Sequence, residues 1–132
     1  MPVADDELIR AATEARDRAY CPHSGFSVGA ALVDDTGTVH IGCNVENASY
    51  PLGNCAEAAG IAAMVLGGGK RIDRIAVVGG GADIGPCTPC GGCRQRIFEF
   101  ADETTVVITR DDSDDWQRFS NAELLPAGFH LD

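Results

Sequence analysis

Cys90 and Cys93 form a Cys-x-x-Cys at the start of a predicted helix, directly after Pro89. Residues three apart share one helix face, so both sulfurs can reach a single point. By itself this pair fits a redox dithiol, half of a structural zinc site or part of a catalytic one. Cys55 lies at the start of an earlier predicted helix, and one predicted strand separates the two. That order brings both helix starts to the same end of a sheet, the end where open α/β sheets form their clefts. Three thiolates there can converge on one zinc ion, helped by the exposed N–H groups of two helix tips. Structural zinc usually takes four protein ligands, whereas catalytic zinc leaves a position for water. Cys87, Cys43 and His23 are each available as a fourth ligand, so the count alone does not decide.

Glu57 bears on that question, because a metal-activated water needs a proton acceptor and a later step needs a donor. Cys55 and Glu57 are two residues apart and do not face each other along a helix. They can address one site only at the helix tip, where side chains lean toward the N-terminus. The competing reading is structural: Glu57 follows Asn54 by three positions and could close a capping box.

The elements that must position these residues are legible in outline. Residues 5–20 read as a helix opening on Asp5 and Asp6, with Leu8, Ala12, Ala15 and Ala19 as its apolar stripe. Residues 26–33 and 38–44, on either side of a DDTG turn, read as a hairpin. An Ala-rich helix over 55–66 stops at Gly67, Gly68 and Gly69, and a buried strand covers 72–78. A helix over 90–100, strands over 104–109 and 116–119, and a last short helix capped by Ser120 and Glu123 complete the chain. Strand–helix–strand alternation after residue 50 predicts parallel pairing, and the opening hairpin is antiparallel. The expected fold is a three-layer α-β-α arrangement, α/β in class, with a mixed five-stranded sheet and one domain spanning 1–132.

Composition narrows the possible partners. The 132 residues carry a formal net charge of -10. This balance repels polyphosphates and anionic membrane surfaces and supplies no basic track for nucleic acid. A small neutral ligand remains compatible. No apolar run approaches the ~20 residues of a membrane span. The acidic start, MPVADDELIR, lacks the basic and apolar regions of a signal peptide, and a cytoplasmic location is expected. In a reducing compartment, clustered cysteines point to metal or redox chemistry more than to disulfides.

The joint pattern Cys55-x-Glu57, then Pro89-Cys90-x-x-Cys93, matches the zinc-deaminase signature in its three-cysteine form. At this level the sequence resembles the small, homotetrameric cytidine deaminases. The resemblance spans nearly the whole chain: PHSGFSVGAALV, GCNVENASY, NCAEAAGIAAM, TPCGGCRQRIFEF and ELLPAGF stand in the family's order. It implies the family's fold and one zinc ion per chain, held by Cys55, Cys90 and Cys93. It implies hydrolysis of free cytidine and deoxycytidine to uridine and deoxyuridine by a zinc-activated hydroxide, with Glu57 as the proton shuttle. By the same resemblance, Asn44 and Glu46 hold the ribose 3′-hydroxyl and Phe26 packs on the pyrimidine. The Ala56 N–H and the Thr88 carbonyl read the base edge. Arg94 donates to the ligand sulfurs, and Gln95 stands beside it in the same Cys-Arg-Gln run. Phe129 reaches a neighbouring subunit's site, which implies a homotetramer. Small residues at Gly29, Ala30 and Ala31, and at 58–60, 62 and 63, suit close packing either within one subunit or between subunits.

Two departures stand out. Ala58 follows Glu57 where the family often carries Arg, and His23 stands where it often carries Tyr. With Ala58, the work of offsetting the thiolates' negative field falls on Arg94 and the helix-tip N–H groups. Three rival readings remain: deamination of another cytosine nucleoside such as a blasticidin-type antibiotic, a non-catalytic zinc-stabilised domain, and a Cys90–Cys93 redox dithiol.

Overall fold

A computed structural model describes residues 2–131. Its elements run in the order α1 (Asp5–Arg16), β1 (Ser27–Asp34), β2 (Val39–Cys43), a 3-10 turn (Tyr50–Leu52), α2 (Ala56–Leu66), β3 (Ile72–Gly80), α3 (Gly91–Glu99), β4 (Val106–Arg110), β5 (Trp116–Ser120) and α4 (Asn121–Leu124). The strands form one five-stranded mixed sheet in the order β2-β1-β3-β4-β5. β1 is antiparallel to both β2 and β3, β3 is parallel to β4, and β5 closes the edge antiparallel to β4.

Side chains alternate across β1 as a pleated strand requires. Ala30 and Leu32 enter a core with Ala56, Ile61 and Met64 of α2 and Ile97 of α3. Ala31 and Val33 enter a second core with Leu8 and Ala12 of α1. Each fully buried Leu, Ile or Val in these cores contributes about 1.5–3 kcal/mol of hydrophobic stabilisation. The two cores make the three layers, with α1 on one face of the sheet and α2 and α3 on the other.

The parallel pairing expected after residue 50 is that of β3 and β4, and β1 lies between β2 and β3. Since β2 and β3 are both antiparallel to β1, they still run in the same direction. Gly29 of β1 is level with Cys43 on one side and Val78 on the other, so both strands finish at the same end of the sheet. The segments leading to α2 and α3 therefore start from a common edge.

Two glycines set how closely helices lie on this sheet. A Cβ at Gly42 would come within 2.5 Å of the Ala56 carbonyl oxygen and of the Gly60 nitrogen, so the first turn of α2 rests directly on the β2 backbone. A Cβ at Gly29 would overlap the Ala12 carbonyl oxygen of α1. The small residues at Gly29, Ala30, Ala31 and Gly60 thus serve packing inside the chain.

α1 ends at Arg16, short of the expected residue 20. The reason is a tertiary pairing: the Tyr20 N–H donates to the Asn44 carbonyl at 3.0 Å, and the Glu46 N–H donates to the Tyr20 carbonyl at 2.9 Å. Leaving the helix early brings residues 20–24 alongside the segment that follows β2.

Candidate active site

Cys55 and Cys90 occupy equivalent places. Each is the N-cap residue of its helix, with extended backbone angles of φ -77°, ψ 153° and φ -65°, ψ 167°. Cys93 lies in the first turn of α3 and is fully buried. The three sulfurs lie within 4.8 Å of one another, and among the described residues no further His, Cys, Asp or Glu joins the group. Of the other candidate ligands, Cys43 turns its sulfur toward the Arg18 carbonyl at 3.8 Å, and His23 sits against the Tyr50 ring. Three convergent thiols suit a soft or borderline ion such as zinc, and three protein ligands leave room for a water.

Glu57 stands at the second position of α2, one residue too early for a capping box, and Asn54 is not the N-cap. The capping reading therefore fails. At the helix tip the carboxylate turns inward and is 4% exposed. Burial pushes its pKa above the ordinary carboxylate value, against the pull of its own backbone N–H, the Cys93 thiol and the Arg96 charge. The thiols divide likewise. Burial raises Cys55 and Cys93, whereas the backbone N–H of Cys93 lowers Cys90, with help from that of Gly92. The open first turn of α3 thus favours negative charge on Cys90.

A hollow of about 180 Å³ opens over this centre, lined by Phe26, Val28, Asn44, Cys55, Ala56, Glu57, Cys87, Thr88 and Cys90. Phe26, Asn44, Ala56 and Thr88 are thereby brought together with two of the thiols and the carboxylate. The Asn44 amide joins two of the walls: its Nδ2 donates to the Phe26 carbonyl at 3.0 Å, and its Oδ1 accepts from the Val28 N–H at 2.8 Å. Cys87, offered by the sequence as a fourth ligand, does not join the trithiol group and instead forms part of the wall, where burial raises its thiol to about 11. Its position beside Thr88 was the available signal.

Glu46 lies in an adjoining depression with His23, Ser24, Asn47, Tyr50 and Gly53. Its carboxylate accepts from the backbone N–H groups of His23 and Ser24 and from the Ser24 hydroxyl. The hydroxyl contact foremost holds Glu46 below its usual pKa. Phe129 does not line the hollow of its own chain and is 69% exposed.

Arg94 departs from expectation. Its guanidinium donates to the Pro89 and Leu124 carbonyls at 2.8 and 2.9 Å and approaches the Thr88 hydroxyl at 3.4 Å. It thus ties the loop before Cys90 to α4 instead of meeting a sulfur. The sulfur donor is Arg96, whose Nη1 lies 3.7 Å from Cys93 Sγ. The rule that pairs Cys90 with Cys93 also pairs Cys93 with Arg96, three residues further on, and could have found it.

A trithiol centre at two helix tips, with a buried carboxylate beside it and a small hollow above, defines a metal-dependent hydrolytic site on a three-layer α-β-α fold. Residues 2–109 match the family described as the cytidine and deoxycytidylate deaminase zinc-binding region, and the chain belongs to that family. A cytidine deaminase of Sporosarcina psychrophila is 41% identical over 125 residues, covering 94% of this chain and 90% of the relative. One from Mycobacterium tuberculosis is 41% identical over 133 residues, covering 100% of this chain and 95% of the relative. A crystal structure of cytidine deaminase from Burkholderia pseudomallei superposes with a TM-score of 0.86 at 43% identity, covering 96% of this chain and all of that one.

Proposed function

We propose that the protein hydrolytically deaminates free cytidine and deoxycytidine, giving uridine or deoxyuridine and ammonia, as one domain spanning 1–132. The observation that carries this reading is the buried Glu57 carboxylate at the tip of α2, beside three sulfurs and beneath a hollow of about 180 Å³.

Cys55, Cys90 and Cys93 hold zinc, which when bound lowers the pKa of a water and so supplies the nucleophile. Glu57 would accept one proton of the attacking water and deliver it to ring N3. Once the C4–O bond has formed, it would take the remaining hydroxyl proton and pass it to the amino group, which leaves as ammonia as the C4–N bond breaks and the C4 carbonyl forms. Its raised pKa suits a carboxylate that must both take and return a proton. Phe26 stacks on the pyrimidine. The Ala56 N–H and the Thr88 carbonyl read the base edge, and together they exclude rings that lack the matching donor and acceptor. Asn44 and Glu46 take the ribose 3′-hydroxyl. Because Asn44 also holds the backbone at Phe26 and Val28, the sugar and base contacts are set by one side chain.

The working form is a homotetramer in which Phe129 of one subunit covers the site of the next. In support, Tyr50, which lines the depression with Glu46, Leu52 in the same 3-10 turn, and Val65 and Leu66 at the end of α2 are apolar and exposed, Tyr50 by 75% and Leu66 by 91%. Covering the hollow with a neighbour would exclude water and strengthen the electrostatics within it. No helix among the described residues is long and apolar enough to cross a membrane. The formal net charge of -10 supports partners other than nucleic acid or anionic membrane, and the family match supports a cytoplasmic role in pyrimidine salvage. Ammonia release from cytidine, measured with and without a zinc chelator, tests the reading. Chelator-sensitive release is expected, and its absence in zinc-loaded protein would overturn it.

A further inference from the structure

We infer that Arg96, reaching back over the first turn of α3 through the space left by Gly92, is a positioning residue that tunes the metal centre by donating to Cys93 Sγ. The inference rests on the reading of Cys55, Cys90 and Cys93 as zinc ligands. Two separate features of the structure carry it.

The first is the contact. Arg96 Nη1 lies 3.7 Å from Cys93 Sγ, within range of a hydrogen bond to sulfur, and Cys93 is fully buried. The other nearby cation, Arg94, is committed to the Pro89 and Leu124 carbonyls. No cation follows Glu57, because position 58 is Ala.

The second is the glycine. Gly92 is an exposed helical residue with no left-handed backbone angle to explain it. A Cβ there would lie 3.3 Å from Arg96 Nη1 and 3.9 Å from Cys90 Sγ. The missing side chain thus leaves room for the guanidinium to lie along the helix and reach a sulfur that its own helix carries.

The physical consequence follows from charge. Zinc with three thiolates carries about one net negative charge, and such a centre holds its water's proton more tightly than a neutral or cationic one. A guanidinium on one sulfur withdraws negative charge from the metal and stabilises the filled site relative to the site with three neutral thiols. Because Arg96 is itself solvent-exposed, screening places its effect at the lower end of the usual range for groups hydrogen-bonded to ligands.

The test measures zinc affinity by chelator competition and, in the cobalt(II)-substituted protein, the sulfur-to-metal charge-transfer band. Arg96→Gln is expected to weaken zinc binding about 10-fold and to move the band to longer wavelength, since a sulfur without its donor gives up electron density more readily. Gly92→Ala, which keeps Arg96 but crowds its guanidinium, is expected to move both readouts in the same direction by a smaller amount. An unchanged affinity, or a band that does not move in Arg96→Gln, overturns the inference. A wild-type protein that takes up no zinc, or a Cys93→Ala variant that keeps it, would overturn the ligand assignment itself. Those outcomes are distinct from wild-type binding that Arg96→Gln leaves unaltered.

Discussion

Gln95 and Phe129 hold each other through both ends of one amide: Gln95 Nε2 donates to the Phe129 carbonyl at 2.7 Å, and the Phe129 N–H donates to Gln95 Oε1 at 3.1 Å. The pairing fixes the backbone of the C-terminal segment to α3 while the Phe129 ring projects into solvent. A ring held rigidly outward, 69% exposed, contributes little to the stability of its own chain.

Phe129→Ala is therefore expected to change stability by less than about 0.5 kcal/mol. It should cut kcat/KM about 10–100-fold if the ring completes a neighbour's site. Light scattering should give about four chains per particle for the wild type. A fully active monomer at assay concentration would remove the shared site but not the deaminase reading.

Metal analysis should find one zinc per chain, and Cys93→Ala should lose most of it, because a buried sulfur in the first turn of α3 has no substitute among its neighbours. Full zinc in that variant would take Cys93 out of the ligand set.

Glu57→Gln keeps the shape of the side chain but cannot carry a proton. Since a proton must move both before and after the new C–O bond forms, the loss in kcat should exceed the ~10²–10⁴ of a single acid–base role. Zinc content and melting temperature should stay near wild type. Turnover close to normal would leave Glu57 a purely structural residue at the tip of α2.

Cytidine should be deaminated, and cytidine monophosphate and single-stranded oligonucleotides should not. Repulsion between a phosphate and a carboxylate in the position of Glu46 costs about 1–4 kcal/mol at contact distances. The formal net charge of -10 adds to it. Efficient conversion of either phosphate-bearing substrate would contradict this specificity.

Far from the site, Asp34 gives a stability prediction. Burial pushes its pKa up, but the Thr36 hydroxyl, His40 and the backbone N–H groups of Thr36 and Thr38 outweigh that and hold it far below the usual carboxylate value. A depressed folded-state pKa means stability that is fully present above the unfolded value of ~3.9 and lost as pH falls through the folded one. Asp34→Ala is expected to cost about 2–4 kcal/mol at pH 7. The gap between wild type and variant in denaturant unfolding should narrow below about pH 4. A gap that stays constant down to pH 2 would show that the carboxylate's charge is not what stabilises the turn.

The sequence by itself determined the local parts of this protein. The spacing of Cys90 and Cys93 after Pro89 follows from helix geometry alone, and so does the Ser120–Glu123 capping box, in which both reciprocal hydrogen bonds form. The hairpin around the DDTG turn and the two helix starts bearing Cys55 and Cys90 were legible because turn chemistry and hydrophobic period act over a few residues. The family resemblance then supplied roles that no local rule contains.

Tertiary structure decided what depends on partners far along the chain. β1 inserts between β2 and β3 because its pleat buries side chains on both faces at once, a fit that no single segment displays. α1 stops at Arg16 because Tyr20 finds backbone partners at Asn44 and Glu46. Cys87 joins the pocket wall, and a Cβ on Gly79 of β3 would lie 2.6 Å from its sulfur, so the bare strand is what admits it. Arg94 and Arg96 are two residues apart on one helix and therefore point in different directions. Arg94 turns to the Leu124 carbonyl, thirty positions away, and that leaves Arg96 facing the sulfur. A side chain's destination is set by what the fold places within its reach, and for a long cation with several rotamers that is decided only when the helices have packed.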